Sequence, residues 1–289
     1  MRQVLLATVG TSVLTNFRQL EQAPSFEAWV AEQPEGERPG LLRHRAAYLE
    51  AAHDLAKKRW EQAAIVLACL SETPRVLGAE IASLEAILRE PPYGQLQEVL
   101  LLHSDTPDGA AAARFLARYI KLRFGLGTKA RRVAELRDDV PGVFRTFGLR
   151  QLVVELARAV REYGPERLVI DATGGYKAQV AIAVALGQVF QIPVVYRFER
   201  FPEVVELPPL PFALDLPFLE AHRAILEKDV VSKEELEQHF GAPLSEANQQ
   251  FARFSVALSG PDATGAYTRS PSGQLLFEAL RAATRKQAR

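Results

Sequence analysis

The sequence predicts an α/β chain: a Rossmann-like, mostly parallel sheet flanked by helices, followed by a small, mainly helical domain that reads either as winged-helix-like or as a packing or dimerisation module. Three observations carry this expectation. Short apolar runs rich in Val, Leu and Ile recur along the first two thirds of the chain, as expected of strands buried on both faces of a parallel sheet. Alanine- and leucine-rich helical stretches alternate with them. Several runs end in Ser, Thr, Asp or Gly just before a helix, which is how a βαβ protein lines a crevice along the carboxyl edge of its sheet.

Val4 to Val9 is the first strand and ends in Gly10-Thr11-Ser12, followed by Val13-Leu14-Thr15-Asn16. Phe17 to Gly40 carries Pro24, Pro34, Gly36 and Pro39 and reads as a short helix and a loop. A helix is expected from about Leu41 to Trp60 and a second strand over Ala63 to Leu70, ending in Ser71-Glu72-Thr73-Pro74 before a helix over Val76 to Leu88. Glu98 to His103 is the third strand, passed through Ser104-Asp105-Thr106-Pro107 to a helix over Ala110 to Phe124. Pro74 and Pro107 also suit a first helical turn, so capping accounts for part of this pattern without any ligand.

Gly127 to Leu136 reads as an edge strand, and a helix runs from beyond Gly142 to about Tyr163. Leu168 to Ile170 is another buried strand, and Ala178 to Phe190 a helix apolar on nearly all sides. Pro193 to Phe198 follows as a strand, with Glu203 to Leu207 antiparallel to it across a turn near Arg200. Pro208-Pro209-Leu210-Pro211 stops regular structure, which places the domains at 1–214 and 215–289. Beyond it come short helices over Pro217 to Lys228, Ser232 to Phe240 (opened by a Ser232/Glu235 capping box) and Leu244 to Leu258, a hairpin arm at Tyr267-Thr268-Arg269, and a last helix over Gly273 to Lys286.

Lys+Arg and Asp+Glu both number 35, so no global positive charge points to duplex DNA or a membrane. Cys69, the single cysteine, excludes an intramolecular disulfide and a cysteine-based zinc cluster, and its apolar surroundings suggest packing. Met1 is followed at once by a strand-like run, and no apolar run approaches membrane-spanning length, so a cytoplasmic location is expected.

Two corners carry the candidate chemistry. After Leu168 to Asp171 the chain turns through Ala172-Thr173-Gly174-Gly175-Tyr176-Lys177, where glycines admit a close ligand and the first helix amides point outward at the positive end of the dipole. Lys177 in the first turn opposes that dipole, which suggests an anionic guest; an ordinary strand-to-helix turn with a solvated lysine is the competing reading. The spacing is not that of a P-loop. At the other corner Thr11 and Ser12 offer hydroxyls beside Gly10, suited to phosphate or ribose, or merely to capping the next helix.

V-G-T-S-x-L-x-N (Val9 to Asn16) paired with D-A-T-G-G-x-K-A-Q (Asp171 to Gln179) resembles the CRISPR-associated Rossmann-fold (CARF) proteins over roughly Met1 to Leu214. The resemblance implies a homodimer binding cyclic oligoadenylate across its twofold axis. Neither His222 nor His239 has the arginine spacing of the HEPN ribonucleases found in many relatives, so the chain is most similar to the stand-alone ring nucleases, which cleave the messenger and end type III CRISPR signalling. It implies Ser12 and Lys177 as catalytic residues, with no metal and no cofactor. Ligand contacts are expected at Gly10, Thr11, Asn16, Thr173, Gly174, Gly175 and Tyr176, with Ser71, Glu72, Asp105 and Thr106 placed near adenine by their strand-end position. A non-catalytic sensor regulating transcription through the C-terminal domain is the alternative; a generic nucleotide-binding enzyme is disfavoured by the missing G-x-G-x-x-G.

Overall fold

The computed structural model describes residues 2–72, 75–198, 201–207, 214–244 and 249–287. Among them, one sheet organises the chain: β1 (Val4–Val9), β2 (Glu98–His103), β3 (Gly127–Arg132), β4 (Leu168–Asp171), β5 (Val194–Tyr196) and β6 (Val205–Leu207), in the order β3-β2-β1-β4-β5-β6. All neighbours are parallel except β5 and β6, which pair antiparallel as the sequence predicts.

Alternation along the strands builds two apolar layers, because successive side chains leave opposite faces. Leu5, Ala7 and Val9 join one core, covered by α1 (Ser12–Gln22), α2 (Phe26–Ala31), α3 (Arg38–Arg43), α4 (Arg45–Ala56), α5 (Trp60–Ala68), α6 (Ala79–Arg89) and α7 (Pro107–Phe124). Val4, Leu6, Leu168 and Ile170 join the other, covered by the helical stretch α8 (Pro141–Val143) to α9 (Leu149–Tyr163) and by α10 (Lys177–Phe190). The chain leaves β1 toward β2 and β3, then returns to lay β4 on the other side of β1. That reversal between β1 and β4 is a topological switch point, where the connections diverge to opposite faces and leave a crevice at the strands' carboxyl ends.

The structure corrects three readings. Ala63 to Leu70 is not a strand but most of α5, with Ala63, Ala64, Leu67 and Ala68 buried on one helical face. A short apolar run fits a buried strand and a buried helix equally, and three alanines favour the helix. The single helix expected over Leu41 to Trp60 is broken at His44 and again after Ala56, where Lys58 takes a positive φ of 58°. Cys69 is exposed at the end of α5 rather than packed.

The C-terminal segment has α11 (Leu216–Ala221), α12 (Arg223–Leu226), β7 (Val230–Val231), α13 (Lys233–Phe240), α14 (Gln249–Phe254), β8 (Leu258–Ser259), β9 (Tyr267–Arg269) and α15 (Pro271–Gln287). Its small antiparallel sheet runs β7-β9-β8, and with two helices between β7 and β8 this is winged-helix topology. Leu219, Leu226, Leu236, Phe254 and Leu280 form a separate core. Helix α15 docks on α9, with Arg161 paired to the buried Glu278 and Arg150 to Asp229. Pro208 to Pro211, read as the domain boundary, lies outside the described residues.

Candidate functional site

The two corners flagged in the sequence meet at the switch point. Thr8 Oγ1 donates to the Gly174 carbonyl at 2.5 Å, tying the end of β1 to the turn after β4. A Cβ on Gly10 would stand 3.1 Å from the Gly175 nitrogen, so the two glycine turns touch backbone to backbone. Gly175 has φ +90°, a conformation that side chains disfavour.

Helix α6 supplies what lies beneath. Glu80 Oε1 accepts from the Gly10 N–H at 2.6 Å, and Oε2 accepts from Ser12 Oγ at 3.2 Å. The Ala79 N–H donates to the same Ser12 oxygen at 3.2 Å. One turn further along α6, Ser83 Oγ lies 3.0 Å from Thr173 Oγ1, which also accepts the Arg197 N–H at 2.9 Å. Asp171, at the end of β4, accepts from the Thr173 N–H at 3.0 Å. Glu80 and Asp171 are both buried, and burial pushes both carboxyls up, Asp171 to about 6. Two buried acids next to one another beneath a crevice are a functional-site signature rather than a stabilising arrangement.

Above them opens a crevice of about 350 Å³ bordered by Ser12, Asn16, Arg75, Gly78, Thr173 and Arg197. The Arg197 guanidinium is lowered first by burial and then by the Arg75 charge, while Glu37 offsets part of that repulsion. Two arginines in one crevice give it the chemistry to hold an anion.

Lys177 is exposed at the first position of α10. The Gln179 side chain caps that helix by accepting the Tyr176 N–H at 2.8 Å, so this amide is occupied, while those of Lys177 and Ala178 have no intrahelical acceptor. The Tyr176 ring turns away onto Phe144, edge to face at 5.5 Å. Thr11 precedes α1 without a side-chain capping bond, so helix capping does not account for its hydroxyl. Asn16 borders the crevice with its amide donating to the Val76 carbonyl at 3.0 Å.

Of the predicted residues Ser12, Asn16 and Thr173 line the crevice, Gly10, Thr11, Gly174, Gly175, Tyr176 and Lys177 stand on the same two turns without lining it, and four more lie elsewhere. With Ala63 to Leu70 helical, Ser71 and Glu72 follow a helix; the Ser71 carbonyl accepts from Arg123, and Glu72 pairs with Arg43 at 2.7 Å. Asp105 is held by Arg132 and the Glu135 N–H, and Thr106 caps α7 by accepting the Gly109 N–H at 3.0 Å. Conversely, Glu80, Ser83, Arg75 and Arg197 were not read from the sequence. Glu80 and Ser83 had a signal: both occupy the buried stripe of α6 with Leu84 and Ile87, at helical spacing where apolar residues belong.

Gly174 is closely packed against both Glu80 and the backbone of β1. A Cβ there would overlap Glu80 Oε1 and stand 2.5 Å from the Thr8 carbonyl oxygen. Gly174→Ala is expected to destabilise the fold by about 2 kcal/mol or more, read as a shifted denaturant midpoint at unchanged slope.

A family profile described as CRISPR-associated protein (Cas_APE2256) matches residues 75–210. No curated protein matches the sequence. Among solved structures the chain is similar to Can2 from Sulfobacillus thermosulfidooxidans in complex with cyclic tetra-adenylate (cA4), at 9% identity and a TM-score of 0.31, over 96% of this chain and 64% of that one. The chain thus spans less than two thirds of that protein, and a superposition at that score carries no argument. The profile match over residues 75–210, the Rossmann strand order and the V-G-T-S and D-A-T-G-G-x-K-A-Q turns that meet across its switch point make the chain similar to the CRISPR-associated Rossmann-fold (CARF) proteins.

Proposed function

We propose that the protein binds cyclic oligoadenylate, foremost cyclic tetra-adenylate, between two copies of the chain and cleaves it to linear di-adenylate ending in a 2′,3′-cyclic phosphate. The meeting of the Ser12 and Lys177 turns at one switch point is the observation that carries this reading. RNA holds its own nucleophile, so holding the ribose 2′-oxygen in line with phosphorus is most of the catalysis. The 2′-oxygen bonds to phosphorus, the bond to the 5′-oxygen breaks, and the proton lost at the first oxygen is replaced at the second from solvent. Lys177 and the first amides of α10 stabilise charge on the non-bridging oxygens, and Ser12 holds the 2′-hydroxyl. Every group in this scheme belongs to the chain or the substrate, so it requires no metal.

Two features support a shared site. A crevice of about 350 Å³ is at the small end for ligand pockets and holds part of a ring. Helix α10, which begins at Lys177, keeps Ala178, Ala181 and Ala185 incompletely covered; a helix apolar on all sides needs cover on all sides. Titration calorimetry is expected to give one cyclic tetra-adenylate per two chains. A ratio of one ring per chain contradicts the shared site.

The winged-helix topology favours the sensor reading as the alternative. Its charges do not. Arg253, the one cation of α14, is paired with Asp215 at 2.6 Å, and the loop between β8 and β9 contributes Asp262 and no cation. A DNA-reading helix and wing need free Lys and Arg. A gel shift on duplex DNA with and without the ring is expected to show no ligand-dependent band; such a band would favour the sensor.

A further inference from the structure

We infer that Glu80 sets the polarity of the Ser12 hydroxyl, fixing it as an acceptor for the ribose 2′-hydroxyl rather than a donor to phosphate. Glu80 is thus a positioning residue for the cleavage proposed above, on which this inference rests.

A serine hydroxyl has one hydrogen to give and two lone pairs. Ser12 Oγ donates to Glu80 Oε2 at 3.2 Å, so its hydrogen points to the acid, away from the crevice. The Ala79 N–H fills one lone pair from the side at 3.2 Å. What Ser12 presents to the crevice is the remaining lone pair. Phosphate oxygens are also acceptors and find no partner there, whereas a 2′-hydroxyl is a donor and does. The hydrogen bond that results draws on the nucleophile's own proton, and phosphate is left to Lys177 and the crevice arginines.

Glu80 cannot swing aside to relax this arrangement. It is 5% exposed, its other oxygen is held at 2.6 Å by the Gly10 N–H, and Gly174 lies directly against it. Gly78, at φ +105°, brings backbone so near that a Cβ there would stand 3.0 Å from Ser12 Oγ. The hydroxyl therefore has one orientation, dictated by an acid on another element.

Glutamine at this position inverts the bond. Its single oxygen must stay with the Gly10 N–H, so its amide nitrogen meets Ser12 and donates, and the hydroxyl hydrogen is released toward the crevice. The test compares cyclic tetra-adenylate with its 2′-fluoro counterpart, which keeps the ring and phosphates but has no 2′-hydrogen to give. Wild type is expected to bind the ribose ring about five- to tenfold more tightly, the worth of one hydrogen bond. Glu80→Gln is expected to bind both rings within about twofold, and its kcat on the ribose ring to fall about tenfold with KM little changed. Ser12→Ala is expected to lose the same preference, and adding Glu80→Gln to it to change the ratio no further.

Retention of both the wild-type preference and the wild-type kcat by Glu80→Gln overturns the inference. So does a further loss of preference in the double variant. Should Glu80→Gln fail to fold by circular dichroism, Ser12→Ala decides alone, and a ribose preference surviving that change overturns the inference. A wild type that prefers the ribose ring yet leaves it uncut supports the hydroxyl's polarity and contradicts the cleavage. One that binds neither ring overturns both.

Discussion

Lys177→Ala is expected to lower the single-turnover rate of ring cleavage by a factor on the order of 10²–10³, the usual result of removing one preorganised group that stabilises transition-state charge. The loss should come without loss of fold. Lys177 is exposed at the first position of α10, where a cation opposes the helix dipole and where alanine is the better helix former. The variant should therefore melt at or slightly above the wild-type temperature. Lys177→Arg keeps the charge but spreads it over a planar fork, so partial recovery is expected. Rapid-quench kinetics with the protein in excess over the ring measures the chemical step directly; a Lys177→Ala variant that cuts at the wild-type rate removes the lysine from the mechanism.

Asp171→Asn is expected to stabilise the protein at neutral pH. Burial raises the Asp171 carboxyl from its ordinary range to about 6, and the neighbouring Glu80 charge pushes the same way. A native pKa above the unfolded one means that the folded state binds the proton more tightly. The stability Asp171 contributes is complete below about pH 4, falls as pH rises toward 6, and stays low above that; the difference is about 3 kcal/mol. Asparagine keeps an oxygen for the Thr173 N–H and removes the titration. In thermal melts the variant should exceed wild type by several degrees at pH 7.5, and the gap should close near pH 4. An equal destabilisation at both pH values would show that the carboxylate's hydrogen bonds outweigh its burial.

Much of the frame was legible because buried parallel strands leave a simple trace. Leu5-Leu6-Ala7 and Val169-Ile170 are apolar without a break because both faces of the sheet are covered, and Val205 to Leu207 pairs with β5 as its position after the turn predicts. The same trace misled at Ala63 to Leu70, where the exposed face of the helix carries Ile65 and Cys69 and so shows no charged residue to reveal its period. Ser71 and Glu72 were placed by that error. Gly10, Ser12, Gly175 and Lys177 stand out in the sequence because their types suit strand-to-helix turns, and those two turns meet at the switch point. Glu80 and Asp171 act through burial, and Arg197 through burial and then its neighbour Arg75, properties set by contacts between β1, β4, β5 and α6 of which the sequence carries only an indirect trace, such as polar residues on the apolar stripe of α6. Arg197 had the clearest missed signal, since it directly follows β5 and so stands at a carboxyl end of the sheet.

The central claim is that two turns distant in sequence act on one phosphodiester of a cyclic nucleotide. Incubating the protein with cyclic tetra-adenylate and, separately, cyclic hexa-adenylate in excess chelator, then weighing the products by mass spectrometry, tests it most directly. The predicted result is linear di-adenylate bearing a 2′,3′-cyclic phosphate from the tetra-adenylate, formed as fast with chelator as without. Tight binding with the ring recovered intact, or cleavage that stops when chelator is added, would contradict it.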